Sequence, residues 1–286
     1  MQTLTTIADL REAIRQRRTY QQRIGFVPTM GYLHAGHEAL MRQARAECDL
    51  VVASIFVNPT QFGPSEDFDK YPRDLPRDQE LLERAGVDLL FHPEPRDLYP
   101  HGTHTWVEVA GLSEIACGAM RPGHFRGVCT VCAKLFNIVR PERAFLGEKD
   151  FQQLQILRRM VKDLFMPLTL IGVPTVREPD GLAMSSRNSY LTPTERQAAR
   201  IVPRALNLAA ERVAHGEADV RSLLEAITDA VAQQPLAQLQ YAVIVEPDTL
   251  TPMHTLTHEG RLLLAIYVGK TRLIDNIALV PKARLG

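Results

Sequence analysis

Asp49–Val57 reads DLVVASIFV, a strand-length run that is apolar almost throughout. Strands buried on both faces read this way, because a parallel sheet carries helices above and below it. The surrounding chain keeps that promise by alternating strand and helix patterns. Arg23–Val27 is a short apolar run that ends at Pro28, and Glu38–Glu47 is a helix pattern. Asp74–Ala85 reads as a helix, Val87–Phe91 as a strand, Val128–Val139 as a helix and Arg143–Leu146 as a strand. Phe151–Leu164 reads as a helix and Leu168–Val173 as a strand. This alternation predicts an α/β fold, a Rossmann-like, doubly wound parallel sheet.

The texture changes after about Thr175. A polar loop, VREPDGLAMSSRNSY, leads to a helix from Thr194, capped through LTPTE, and to a second helix over Val220–Ala232. Three strand-like runs follow, Gln240–Glu246, Leu262–Val268 and Leu273–Val280, separated by loops. The expected organisation is residues 1–175 as a nucleotide-binding α/β domain and residues 176–286 as a smaller α+β C-terminal domain. With 286 residues, two domains or one large one are expected.

Charge excludes some classes of partner. Lys+Arg and Asp+Glu balance at 33 each, so no global basic field recruits nucleic acid, and only a local basic patch stays open to it. No apolar run is long enough to cross a bilayer. The N-terminal MQTLTTIADLREAIRQRR carries charges where a signal peptide needs an apolar stretch, so a cytoplasmic location is expected. The four cysteines are too few for a disulfide scaffold. Cys129-Thr-Val-Cys132 has the spacing of a redox or metal half-site, but no second pair completes a zinc site. Small buried packing residues are the plainer reading.

The segment PTMGYLHAGH, Pro28–His37, follows the first strand and enters a helix. Ligands of open α/β sheets bind at the C-terminal ends of the strands, and a helix N-terminus there suits phosphate. Gly31 and Gly36 permit a turn and a close backbone approach. His34 and His37 stand three apart and can face one ligand. The pattern is neither a Walker loop nor the dinucleotide G-x-G-x-x-G. It matches the H-x-G-H signature of the nucleotidyltransferase superfamily, in which two imidazoles bind the triphosphate. A surface loop with incidental histidines, or a zinc pair lacking its further ligands, are the alternatives.

FLGEKDFQQLQ, Phe145–Gln155, is a second strand-to-helix junction. There Lys149 is a mobile charge for phosphate, Asp150 can take a ribose hydroxyl or begin the helix, and Gln153 can orient a polar uncharged substrate. An ordinary capped helix reads the same way. MSSRN, Met184–Asn188, is a candidate clamp for phosphate charge or a polar linker. IFVNPTQFGPSEDFDKYPRD, Ile55–Asp74, brings Asn58 and Gln61 to the ligand rim, although Asn58 reads equally as a strand-end cap or turn residue.

These four pieces, in this order and with GAMRPGHFRGVCTV between the second and third, resemble the pantothenate synthetase family from about Ile24 to Arg187. The resemblance implies ATP-dependent condensation of pantoate with β-alanine through a pantoyl adenylate, releasing AMP and pyrophosphate. It implies an ATP site of Met30, Gly31, Tyr32, Leu33, His34, Ala35, Gly36, His37, Gly147, Glu148, Lys149, Asp150, Val176, Met184, Ser185, Ser186 and Arg187. Within it His37, His34, Lys149 and Arg187 are the expected catalytic groups. Gln61 and Gln153 are expected to hold pantoate, with Gln61 near β-alanine, and Asn58, Tyr71, Arg121 and His124 are further candidates at the substrate. Magnesium is implied by ATP chemistry, with no ligands named. A homodimer and a C-terminal domain that acts as a lid are implied as well. Two rivals stand beside this reading: an adenylyltransferase that keeps AMP on its product, and a non-catalytic nucleotide- or metal-binding regulator. A tRNA synthetase is disfavoured, because no anticodon-binding extension is visible.

Overall fold

The computed structural model describes residues 1–19, 21–64 and 66–282, which fall into two compact units. One comprises Met1–Glu148 and Ile156–Pro174, and the other Lys149–Gln155 together with the chain from Thr175. The sequence reading places its own boundary after residue 175. The short segment Lys149–Gln155, expected in the first domain, groups with the second unit.

The first unit runs β1 (Gln2–Leu4), α1 (Ile7–Arg17), β2 (Ile24–Thr29), α2 (Ala35–Glu47), β3 (Leu50–Ile55), α3 (Leu75–Arg84) and β4 (Leu89–Phe91). It continues with α4 (Pro95–Leu98), α5 (Ala116–Met120), α6 (His124–Val139), β5 (Arg143–Gly147), α7 (Phe151–Asp163) and β6 (Thr169–Val173). The six strands form one sheet in the order β1-β4-β3-β2-β5-β6, every pair parallel. All six residues of β3 are buried, as its composition requires. Burial on both faces is visible on β2. Val27 joins the cluster made with Leu40, Met41 and Ala44 of α2, while Phe26 meets Phe136 of α6 edge to face at 6.3 Å.

Two boundaries differ from the sequence reading. β2 continues through Pro28 to Thr29, paired with Ser54 and Ile55. Proline lacks a ladder donor. Here β5 pairs only with Gly25 and Phe26, so by residue 28 one flank of β2 makes no ladder. β1 and α1, where no element was assigned from sequence, put the N-terminal strand at the sheet edge beside β4. Thr6 caps α1 by accepting from the Asp9 N–H at 3.1 Å.

The second unit runs α8 (Pro193–Ala199), α9 (Ile201–Ala214), α10 (Val220–Ala232), β7 (Ala237–Val245), β8 (Gly260–Val268) and β9 (Thr271–Leu279). Its strands form an antiparallel sheet in the order β7-β8-β9. Leu206 of α9 and Leu223 and Ile227 of α10 pack with Ile244, Leu264 and Ile266 of the sheet. The helix expected from Thr194 is two helices. Pro203 cannot donate to the Ala199 carbonyl, so the chain breaks at Arg200. The predicted cap is present: the Thr192 hydroxyl accepts from the Glu195 N–H at 3.2 Å, and Glu195 accepts from the Thr192 N–H at 2.9 Å.

All four cysteines are buried and free. Burial raises the Cys129 thiol to about 12 and raises Cys132 further above its ordinary range. Thiols so shielded form little thiolate and are inert packing groups. Among the described residues no helix is long and apolar enough to cross a membrane. The native protein is expected to react with fewer than about one equivalent of a thiol reagent within minutes, and with all four cysteines after denaturation. Prompt labelling of Cys129 or Cys132 in the native state would contradict the packing role.

Candidate active site

The strand order sets where a ligand can sit. From β2 the chain moves outward to β3 and β4, then returns to β5 on the other side of β2. The loops after β2 and β5 therefore leave in opposite directions, and this switch point is where open α/β sheets bind ligands.

Between Thr29 and Ala35 the chain must turn from strand to helix. Gly31 at φ 84° and Tyr32 at φ 51° make the turn in the left-handed region. A Cβ on Gly31 would lie 3.0 Å from both Asp78 Oδ2 and Ile55, so the position needs glycine twice over. Asp78 of α3, 1% exposed, accepts from the Tyr32 N–H at 2.7 Å and the Leu33 N–H at 2.6 Å. Burial pushes its carboxyl up, while those two backbone donors act to hold it down. Thr29 adds a further tie: its hydroxyl donates to the Ser54 carbonyl at 2.7 Å and accepts from the Gly31 N–H at 3.2 Å.

The two histidines then cap the helix they begin. His34 is the N-cap, and its Nδ1 accepts from the Gly36 N–H at 3.1 Å. His37 reaches back, and its Nδ1 accepts from the His34 N–H at 3.3 Å. The rings lie 4.1 Å apart between centroids. An acceptor at Nδ1 places the proton of a neutral imidazole on Nε2. The cap thus fixes both tautomers, and each ring is an Nε2–H donor at a helix N-terminus, where the dipole already favours anions.

Gln61 ends the 3-10 turn Pro59–Gln61, which follows β3. Its placement is set from every side. Asn58 is 1% exposed; its Oδ1 accepts from the Thr60 hydroxyl at 3.0 Å, and its Nδ2 donates to Gln61 Oε1 at 3.1 Å and to the Gly127 carbonyl at 3.2 Å. Asn58 therefore caps the turn and orients the glutamine amide. Gln61 Nε2 lies 3.0 Å from Met30 Sδ, which brings the turn after β3 against the loop after β2. The Gln61 carbonyl accepts from His124 Nδ1 at 2.8 Å and from Arg121 Nη2 at 3.3 Å. Since His124 donates through Nδ1, its Nε2 accepts from Arg121 Nη1 at 3.0 Å. Gly127 is required beneath this turn, because a Cβ there would sit 2.3 Å from the Thr60 carbonyl oxygen.

Arg121 is in turn held by Glu66, with Nε to Oε1 and Nη2 to Oε2 both at 2.6 Å. Burial alone would raise the Glu66 carboxyl, but the guanidinium fork outweighs it and brings the group to about 2. Tyr71 is buried edge-on against Phe62, 6.0 Å between ring centres, in the aromatic cluster that Phe68 completes. Ser65 of this motif lies outside the described residues.

The other expected site residues lie beyond β5. Gly147 ends that strand, Glu148–Asp150 form a 3-10 turn, and Gln153 stands in the first turn of α7. In the second unit Met184 donates its N–H to the Val176 carbonyl at 3.0 Å, closing a hairpin. Ser185 caps the 3-10 turn Ser186–Tyr190, its hydroxyl accepting from the Arg187 N–H at 3.3 Å. Sequence reasoning missed Asp78 and Glu66. Asp78 had a signal: it shares a helical stripe with Leu81 and Leu82, and an acid on an apolar stripe needs a buried partner.

A strand leading through a left-handed turn into a histidine-capped helix, at the switch point of a parallel sheet, defines an α/β enzyme of the H-x-G-H nucleotide-handling class. Comparison with known proteins narrows that class. The family model described as pantoate-beta-alanine ligase matches residues 2–278. The pantothenate synthetase of Heliobacterium modesticaldum is 57% identical over 93% of this chain and 94% of the relative, and that of Rhizobium meliloti 54% over 99% and 98%. The crystal structure of pantothenate synthetase from Thermus thermophilus superposes with a TM-score of 0.93 at 50% identity, covering 98% of this chain and all of that one. The pantoate-beta-alanine ligase of Francisella tularensis, solved with a β,γ-ATP compound and β-alanine, gives 0.80 at 39% identity over 97% of each chain. The chain belongs to the pantoate–β-alanine ligase family.

The Glu66–Arg121 fork carries a pH signature. A carboxyl held near 2 when folded and near 4.5 when unfolded contributes stability that is complete above about pH 4.5 and lost as pH falls toward 2. After allowance for partial solvent screening, Glu66→Gln should remove about 1–2 kcal/mol at pH 7 and flatten the acid limb of unfolding by that amount. Denaturant titrations at pH 7 and pH 3 check this, and equal destabilisation at both pH values would contradict it.

Proposed function

We propose that this protein condenses pantoate with β-alanine at the expense of ATP, through a bound pantoyl adenylate. Family membership supports the overall reaction, and the observation that carries the mechanism is the reciprocal histidine cap at the start of α2. In the first step a pantoate carboxylate oxygen attacks the α-phosphorus, and the bond to the pyrophosphate oxygen breaks. Charge grows on the departing pyrophosphate, and His34 and His37 meet it with two Nε2–H donors preorganised by their Nδ1 bonds. Lys149 and Arg187 add positive charge on the same nucleotide, and Gly147, Glu148, Asp150, Val176, Met184, Ser185 and Ser186 line it. In the second step the β-alanine amine attacks the acyl carbon, the bond to AMP breaks, and the nitrogen gives up a proton.

Gln61 and Gln153 hold pantoate. Neutral amides can bond its hydroxyls while leaving the carboxylate nucleophilic. The fixed amide and carbonyl of Gln61 support this role, and Asn58, Arg121 and His124 serve it by positioning Gln61. Among the described residues no group of three His, Cys, Asp or Glu side chains is placed to hold a metal ion. Magnesium, as part of this proposal, would accompany ATP and would neutralise phosphate charge. A cytoplasmic location belongs to the same reading.

ATP and pantoate alone should support exchange of labelled pyrophosphate into ATP, and added β-alanine should release AMP and pantothenate in equal amounts. ADP formation, or exchange that waits for β-alanine, would rule the adenylate out. His37→Ala should lower turnover by roughly a hundredfold or more while leaving the far-ultraviolet spectrum unchanged, as for loss of one preorganised donor. The family resemblance also supports a homodimer. Sedimentation equilibrium at micromolar protein is expected to give twice the 32.1 kDa chain mass, and a stable monomer would remove the dimer from the proposal.

A further inference from the structure

Two adjacent polar residues interrupt β9, and both are buried: Asp275 at 2% exposure and Asn276 at 4%. A charge and an amide inside a strand are unfavourable unless each is bonded, so their partners are informative. The register sets Asp275 opposite Leu264 and Asn276 opposite Leu263, so the two side chains start from opposite faces of the small sheet.

Asp275 accepts a fork from Arg177, Nη1 to Oδ2 at 2.6 Å and Nη2 to Oδ1 at 3.1 Å. Arg177 follows Val176 in the hairpin that Met184 closes, where it bridges to Ala183, and its Nη1 also donates to the Gly181 carbonyl at 3.1 Å. Asn276 faces the other segment. Its Nδ2 donates to the Lys149 carbonyl at 2.8 Å, and its Oδ1 accepts from Arg261 Nε at 2.7 Å. The Arg261 guanidinium stacks 4.3 Å above the ring of Phe151, the first residue of α7. Asn276 also donates its own N–H to Asp275 Oδ1 at 2.8 Å, which joins the two halves.

We propose that Asp275 and Asn276 are a positioning pair for the nucleotide-handling residues of the second unit, an inference that rests on the assignment of Lys149, Val176 and Met184–Arg187 to ATP. Asn276 sets the turn that presents Lys149. Asp275, through Arg177, sets the hairpin that leads into Ser185–Arg187. The bond between the two residues makes these segments one body, which explains why Lys149–Gln155 groups with the C-terminal unit although β5 delivers it. Asn276 acts through the Lys149 backbone, and Asp275 acts through the Arg177 side chain.

The test is Asn276→Asp, which keeps an acceptor for Arg261 but turns a lone pair toward the Lys149 carbonyl. The kcat/KM for ATP is expected to fall about ten- to a hundredfold, as for a misplaced catalytic group. The KM values for pantoate and β-alanine should stay within about twofold, and the variant should keep the far-ultraviolet spectrum of the parent even where its unfolding midpoint falls. In a Lys149→Ala background the same substitution should cause no further loss, because the group it positions is gone. Asp275→Asn, which removes the charge holding Arg177, should likewise act on ATP alone. Should Asn276→Asp fail to fold, Arg261→Gln carries the same expectation from a partly exposed position. Unchanged ATP kinetics in a folded variant, KM values for pantoate and β-alanine raised as much as that for ATP, or an undiminished effect in the Lys149→Ala background would each overturn the pair. If the parent protein itself shows no ATP-dependent turnover, the functional reading fails instead, and the pair falls with it.

Discussion

As the chain leaves β2 it must turn from strand to helix while buried, with its backbone N–H groups still in need of partners. Asp78 meets that need. Its two oxygens take the N–H groups of Tyr32 and Leu33, one and two residues after the glycine that permits the turn. Two buried donors left unpaired would cost about 1–3 kcal/mol each, a large share of a domain's stability. Because the turn is fixed, His34 arrives at the N-cap and His37 one turn on, where each ring can satisfy a backbone donor of the helix. A carboxylate on α3 thus decides which nitrogen of each imidazole carries the proton.

The same logic recurs at the other polar centres. Glu66 holds Arg121, Arg121 and His124 hold the Gln61 carbonyl, and Asn58 holds the Gln61 amide. In the second unit Asp275 and Asn276 hold Arg177 and Lys149. In each case a buried or half-buried polar group has its bonds met by the backbone or side chain of a residue that the proposed function assigns to chemistry, or of its neighbour. Such groups keep a site within the tolerance that positional catalysis requires, since displacement of about an ångström is enough to lose much of the rate.

The sheet, its helices and the antiparallel C-terminal strands were legible because hydrophobic periodicity follows directly from burial. Asp49–Val57 could only be a strand covered on both faces, and β3 is one. The H-x-G-H segment was legible because glycine and histidine mark a turn and a helix start. What misled was local. Pro28 looked like a strand end, yet it lies within β2 where the neighbouring strand has already parted. One helix was expected from Thr194, yet Pro203 divides it. The C-x-x-C pair did not mislead: read as small packing residues despite its reactive spacing, both thiols are buried within α6 and inert.

By itself, then, the sequence determined the order of elements, the switch-point rim of the sheet, and the residue types that the proposed function assigns to phosphate and to a hydroxylated acid. Those follow from periodicity, from conformational limits on glycine and proline, and from charge, all of which act over a few residues. Only the tertiary structure decided the tautomers of His34 and His37, the orientation of Gln61, and the attachment of Lys149 to β9. Each depends on a hydrogen bond or a buried acid whose partner is set by packing. Asp78 lies 46 residues from Tyr32, and Asn276 lies 127 residues from Lys149. No local pattern announces such pairs, because what selects them is the high free energy of a buried polar group without a partner, and that is defined only once the chain has closed around it.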